Sequence, residues 1–109
     1  MKKPDNPNDE KRRSQITVHV KLSGFFAKMV PEAKFEVGVH SGATIEEFLN
    51  VLTQRCGEKF RRAIVDRNGK PHADIAVIFN KQFIPSRQMT EHTIRQTSTI
   101  SIIPIVGGG

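Results

Sequence analysis

One amphipathic helix pattern between two groups of strand patterns is the feature that most restricts the fold of this chain. Thr44-Ile45-Glu46-Glu47 has the Thr-x-x-Glu form of a capping box, which satisfies unpaired amides at the start of a helix. Gly57 stands at the other end of the pattern, where a residue with left-handed backbone conformation typically ends a helix. The apolar residues in between recur at i, i+3, i+4 and i+7 spacing and share one face: Ile45, Phe48, Leu49, Leu52 and Cys56. We predict a helix with one buried face, on which Cys56 is a small core residue rather than a reactive thiol.

Strand patterns precede and follow this helix. Residues 16–22 and 35–40 alternate apolar and polar side chains, which predicts two half-buried strands paired antiparallel, with a long loop that begins at residues 23–27. Turns are predicted at residues 68–69 and 80–82. Further strand-like pieces follow the helix at residues 62–66, 74–79, 82–84 and 99–103. This order predicts an α+β domain in which one helix packs across one mixed sheet of four to five strands.

Composition excludes several classes of protein. The chain has 109 residues, of which 37% are hydrophobic, and this favours one small domain. No run of about 18 apolar residues and no apolar signal segment is present, so we expect a cytoplasmic protein without a membrane partner. A single cysteine and four scattered histidines provide no disulfide framework and no metal site. No catalytic residue and no cofactor bound by the chain itself is predicted.

The first 14 residues differ in composition from the rest. They contain two prolines and charges of both signs, and no apolar residue after Met1, which predicts a disordered basic arm. Its cluster Lys11-Arg12-Arg13 could contact a phosphate or an acidic partner, although a solvated charge run is the more common case. We therefore divide the chain into an arm at 1–14, a domain at 15–104 and a flexible tail at 105–109.

The tail ends in three consecutive glycines, Gly107, Gly108 and Gly109. Without Cβ atoms they can pass through a narrow slot in another protein, and residues 105–109 fully extended reach about 17 Å. Attack of the Gly109 carboxylate on the α-phosphate of ATP would give an acyl-adenylate. A sulfur nucleophile would convert it to a thiocarboxylate, and a lysine amine would convert it to an isopeptide. The alternative is a frayed end or a cloning remnant without function.

Four stretches in this order resemble the ubiquitin-like β-grasp sulfur carriers of the MoaD and ThiS type, over about residues 16–109. They are residues 20–27, the Ser-Gly-Ala-Thr segment at 41–44 with the helix start that follows it, the strand ending in Asn80, and the terminal Ile-Pro-Ile-Val-Gly-Gly-Gly at 103–109. The segment at 66–74 is longer than in minimal members and is similar to the larger MoaD-like proteins.

The resemblance implies a carrier rather than an enzyme. Gly109 would carry the adenylate and then the thiocarboxylate, while Gly107 and Gly108 would thread into the partner. That partner would be an adenylyltransferase of the MoeB or ThiF type that uses ATP and magnesium and contacts the helix-free face of the sheet. A sulfurtransferase would supply sulfur, and a synthase subunit or enzyme of molybdopterin, thiamine or cysteine synthesis would accept it.

Two other functions remain open. A ubiquitin-like modifier would join the Gly109 carboxylate to lysines of target proteins. A small nucleic-acid-binding module would explain the net charge of +6, which results from 17 basic and 11 acidic residues. The chain contains no Tyr or Trp, and its basic residues are dispersed except in the middle segment, so support for nucleic acid is thin.

Overall fold

The structure, a computed structural model, describes residues 15–105. The arm predicted at 1–14 lies outside the described residues, and so do Gly107, Gly108 and Gly109. Within the described residues, no helix combines the length and the apolar content that a membrane crossing needs.

The α+β prediction is confirmed, because a mixed sheet of five strands carries a long helix across one face. The strands are β1 (Gln15–Leu22), β2 (Lys34–His40), β3 (Ala43–Thr44), β4 (Ile75–Phe79), β5 (Gln82–Ile84), β6 (Thr93–Ile94) and β7 (Ser98–Pro104). The α-helices are α1 (Ile45–Cys56) and α2 (Glu58–Ile64), and 3-10 helices cover Gly24–Met29 and Ser86–Gln88.

The main sheet has the order β2-β1-β7-β4-β5. β1 pairs antiparallel with β2, as predicted, and parallel with β7, while β4 pairs antiparallel with both β7 and β5. The short strands β3 and β6, which the sequence did not indicate, form a separate two-stranded ladder. The loop predicted at the end of β1 contains the 3-10 helix Gly24–Met29.

The predicted capping box forms at the start of α1. The Glu47 amide donates to Thr44 Oγ1 at 3.1 Å, and the Thr44 amide donates to Glu47 Oε1 at 2.9 Å. At the other end the Gly57 amide donates to the Thr53 carbonyl at 3.2 Å. Gly57 has the positive φ of 99° that was predicted, but its ψ of 167° is extended rather than left-handed.

The buried face of α1 is also confirmed. Four of its predicted apolar residues are fully buried against the sheet: Ile45, Phe48, Leu49 and Leu52. Cys56 is partly buried, packs against the core, and has a pKa raised by burial, with a smaller opposing effect of Arg55. A raised pKa favours the protonated thiol, in agreement with a packing role.

The strand predicted at residues 62–66 is wrong, and the prediction of a single helix is incomplete. Residues Glu58–Ile64 form the second helix, α2, and only Val65 makes a bridge, to Pro71. Phe60 and Ile64 are four residues apart and both are buried, so helical spacing places them on the same side of α2. The β-branched pair Ile64-Val65 resembled a strand because this apolar helical pattern is only two residues long.

Charge pairs within α2 add to this local preference for a helix. The Glu58 carboxylate accepts hydrogen bonds from Arg61 at 2.9 Å and from Arg62 at 3.3 Å, at i+3 and i+4 spacing. These bonds, led by the one from Arg61, lower the pKa of Glu58 to about 2.

We predict that Thr44→Ala destabilises the domain by about 1 kcal/mol, because the Glu47 amide loses its side-chain acceptor at the start of α1. Chemical denaturation would measure the difference in unfolding free energy. Thr90→Ala is a matched control, since Thr90 is exposed and no described side-chain hydrogen bond involves it. Equal unfolding midpoints for the two variants would contradict the prediction.

Candidate functional site

The chain leaves the folded domain from the middle of the sheet. β7 lies between β1 and β4, so Ile102 is paired with Leu22 on one side and with Val77 on the other. One residue beyond the strand, the Ile105 amide donates to the Asp74 carbonyl at 2.8 Å. The backbone is therefore held up to Ile105, four residues before Gly109.

A close approach between the 3-10 helix after β1 and the last residue of β7 fixes this exit. Gly24 has a φ of +62°, and a Cβ added there would lie 2.7 Å from Cγ of Pro104 and 3.1 Å from its Cδ. Only glycine accommodates both the left-handed backbone and the proline ring. Next to this contact, the Ser23 amide donates to the Ile102 carbonyl at 3.1 Å. The Gly24–Pro104 contact thus helps to hold the end of β7 in place.

No element within residues 15–105 covers the face of the sheet turned away from the helices. Strand registers place one row of side chains across all five strands, in the order Lys34, Lys21, Ser101, Ile78 and Phe83. Towards β5 the row is apolar, and Phe83 is 52% exposed. Ile103, in the next row towards the chain exit, is 37% exposed. We call Ile78, Phe83 and Ile103 the apolar half of the helix-free face.

The other part of this face is polar. His19 is exposed, as the sequence predicted, and its Nδ1 lies 3.5 Å from Oε2 of Glu36 on the neighbouring strand. The Thr99 amide donates to Oδ1 of Asn80 at 2.8 Å. A hollow of about 310 Å³ opens beside them, lined by Ile78, Asn80, Lys81, Thr99 and Ser101. The helix-free face therefore combines an apolar half with a polar half that carries lysines and hydroxyl groups.

The described residues do not assemble a metal centre, since within 15–105 no three side chains of His, Cys, Asp or Glu lie close enough together to hold an ion. The described residues instead hold the backbone in place up to Ile105, beside a sheet face that no described element covers. Such a surface can bind another protein that also takes up the chain end.

The sequence analysis named the helix-free face as a contact surface. In the structure, no described element covers that face. The assigned site residues Gly107, Gly108 and Gly109 stay predictions, since they lie outside the described residues. Two features were missed. The isolated Gly24 after a strand was a weak signal for its contact with Pro104, whereas nothing in the sequence indicated which strands bring Lys34, Lys21 and Ser101 into one row.

Comparisons with known proteins agree with this architecture. A model of the ThiS family matches residues 21–109. Among curated proteins, none matches the chain.

Several solved structures share the fold. The HVO 2177 protein of Haloferax volcanii superposes with a TM-score of 0.75 at 16% identity, covering 99% of this chain and 94% of that one. Small archaeal modifier protein 1 of the same organism gives 0.71 at 16% identity, with 84% and 99% covered. A putative molybdopterin converting factor, subunit 1, from Pyrococcus furiosus gives 0.66 at 18% identity, with 84% and 99% covered. These likenesses confirm the ubiquitin-like β-grasp fold.

We predict that Gly24→Ala loosens the chain exit. The new methyl group would meet the Pro104 ring and would also strain the left-handed backbone. Gly42→Ala is the control, because Gly42 also has a positive φ, of 93°, but the only described atom within 4 Å of the added Cβ is Nη1 of Arg95 at 3.6 Å, an ordinary contact. We expect Gly24→Ala to lose at least about 1 kcal/mol more unfolding free energy than Gly42→Ala. Hydrogen exchange at the Ile105 amide should also accelerate only in Gly24→Ala, and equal exchange in both variants would contradict the role given to this contact.

Proposed function

The chain belongs to the ThiS family, and on that basis we propose that it is a sulfur carrier protein. The Gly109 carboxylate is adenylated by a partner enzyme and then converted to a thiocarboxylate, which donates sulfur in the synthesis of a cofactor or metabolite. In this role the chain is a carrier and co-substrate rather than an enzyme.

The observation that carries the proposal is the position of the chain exit. The last described residue, Ile105, is still hydrogen-bonded to Asp74, and Val106 and the three glycines come after it in the sequence. Four residues span up to about 14 Å when extended. That length lets the carboxylate enter a catalytic centre in another protein while the folded domain stays outside it.

The proposed chemistry needs only a carboxylate from this chain. A carboxylate oxygen of Gly109 attacks the α-phosphorus of ATP, and pyrophosphate leaves. A sulfur nucleophile then attacks the activated carbonyl carbon, the bond to the phosphate oxygen breaks, and AMP leaves. The partner supplies ATP, magnesium and the groups that stabilise both steps, while Gly107 and Gly108 contribute a backbone without side chains.

The kinds of partner follow from these steps, and their types follow from membership of the ThiS family. The activating enzyme would be an adenylyltransferase of the MoeB or ThiF type, and a sulfurtransferase would donate the sulfur. The acceptor would be a synthase subunit or enzyme of molybdopterin, thiamine or cysteine synthesis. The structural neighbour called a putative molybdopterin converting factor supports the first of these pathways.

Intact-mass spectrometry tests the proposal. After incubation with the adenylyltransferase of the same organism, ATP, magnesium and a sulfur donor, we expect the mass to rise by the difference between one sulfur and one oxygen atom. Fragmentation should place the change on Gly109.

Two variants serve as controls for this experiment. Deleting Gly107, Gly108 and Gly109 together, or appending a phenylalanine after Gly109, should abolish the product, because the first change shortens the tail and the second places a bulky side chain at the carboxylate. The circular dichroism spectrum should stay unchanged, since both changes lie beyond the described residues. Sulfur incorporation that persists in either variant would refute the proposal.

A protein modifier is the second candidate, and it is favoured by the likeness to small archaeal modifier protein 1. It would use the same Gly109 adenylate, but a target lysine would be the nucleophile and an isopeptide bond the product. Expression of a tagged chain would then give a ladder of conjugates that survives reductant and disappears when Gly107, Gly108 and Gly109 are deleted together. If no ladder forms and the thiocarboxylate does, the modifier function is excluded and the sulfur carrier function is retained.

A further inference from the structure

We propose that three lysines of the helix-free face, Lys21, Lys34 and Lys81, form a basic strip that binds an acidic surface of the activating enzyme and determines which enzyme accepts this carrier. The inference rests on the proposed function and extends it from the chain end to the recognition of the partner.

The first observation is a pair of like charges on neighbouring strands. Lys21 of β1 lies directly opposite Lys34 of β2, and both side chains project from the helix-free face. Facing residues of an antiparallel pair have Cβ atoms about 5 Å apart, and like charges in this position are destabilising. No described carboxylate lies within salt-bridge distance of either lysine, and the nearby Glu36 is paired with His19. An anionic group from another molecule would convert this repulsion into attraction.

The second observation concerns the turn between β4 and β5. Asn80 and Lys81 form a two-residue turn with φ of 48° and 75°, the left-handed conformation for which Asn-Gly is the favoured sequence. A lysine at the second position therefore costs backbone strain that a glycine would avoid. Its side chain lines the hollow on the helix-free face together with the hydroxyl-bearing Thr99 and Ser101.

The chemistry of this hollow fits a carboxylate. Lys81 provides a positive charge, the two hydroxyl groups can donate hydrogen bonds, and none of the described lining residues is acidic. Ser101 is also the neighbour of Lys21 in the row across the sheet, which connects the hollow with the lysine pair. The strip thus runs from the edge strand β2 to the turn after β4.

Continuity with the chain exit identifies the partner. The apolar half of the helix-free face borders the strip, and its Ile103 lies two residues before Ile105 on the way out of the domain. A protein that holds the chain end therefore also covers this face. An apolar centre beside a charged rim is the usual composition of a protein interface. Charge complementarity then requires that the enzyme be acidic where it meets the strip.

Kinetics with two charge-matched variants test this inference. The strip variant is K21Q/K34Q/K81G, in which the glycine also relieves the strained turn and so protects the fold. The control is K59Q/R67Q/R87Q, which removes three exposed positive charges from α2, from the turn after it and from the 3-10 helix Ser86–Gln88, all outside the sheet. The assay measures ATP–pyrophosphate exchange by the adenylyltransferase of the same organism at increasing concentrations of carrier.

We expect the strip variant to raise KM for the carrier by about tenfold with kcat unchanged, and the control variant to stay near the wild type. Added salt should raise the wild-type KM steeply and that of the strip variant only slightly, because screening acts on the charges that the variant lacks. Thermal unfolding of the strip variant should occur at or above the wild-type temperature, which separates docking from folding.

Three results would overturn the inference. One is an equal KM for the two variants. Another is a strip variant that is adenylated normally but has lost binding to a single-stranded oligothymidine probe, since this would assign the lysines to nucleic acid. The third is a wild-type chain that the enzyme does not adenylate, which would refute the proposed function as well, whereas the first two results leave it intact.

Discussion

The position of the last strand in the centre of the sheet is the constraint on which the rest of the structure depends. β7 pairs with β1 on one side and with β4 on the other, so the N-terminal hairpin and the C-terminal pair of strands join only through it. Its Ile100 and Ile102 are fully buried beneath the helices. The same strand that completes the core therefore also carries the backbone to the chain exit, and the geometry of that exit is as well defined as the core itself.

Alternation along this strand divides the roles of the two sheet faces. Ile100 and Ile102 point into the core, whereas Thr99, Ser101 and Ile103 point to the open face. Because side chains alternate along every strand, α1 and α2 cover one face of the sheet, and no described element covers the other. That face is a mixed surface, with lysines and hydroxyl groups towards β2 and apolar side chains towards β5.

Much of the fold could be predicted from local patterns. The capping box at Thr44 specified the start of α1, and the alternation in residues 16–22 identified β1, because in both cases the physical preference is contained in a few neighbouring residues. Helix α2 was missed because its burial depends on only two apolar residues, Phe60 and Ile64. The rows on the open face could not be predicted, since Lys34, Lys21 and Ser101 become neighbours only through pairings between distant strands. The glycines that carry the functional proposal were found from the sequence alone.

The central position of β7 also has a mechanical consequence. A protein that grips the chain beyond Ile105 pulls along the axis of a strand that is bonded on both sides. Such a load acts on two hydrogen-bond ladders in shear, so many bonds resist it together, whereas a strand at the edge of a sheet could be peeled away one bond at a time. A pull on the chain at Ile105 is therefore distributed over both neighbouring strands, and the sheet resists it as one body.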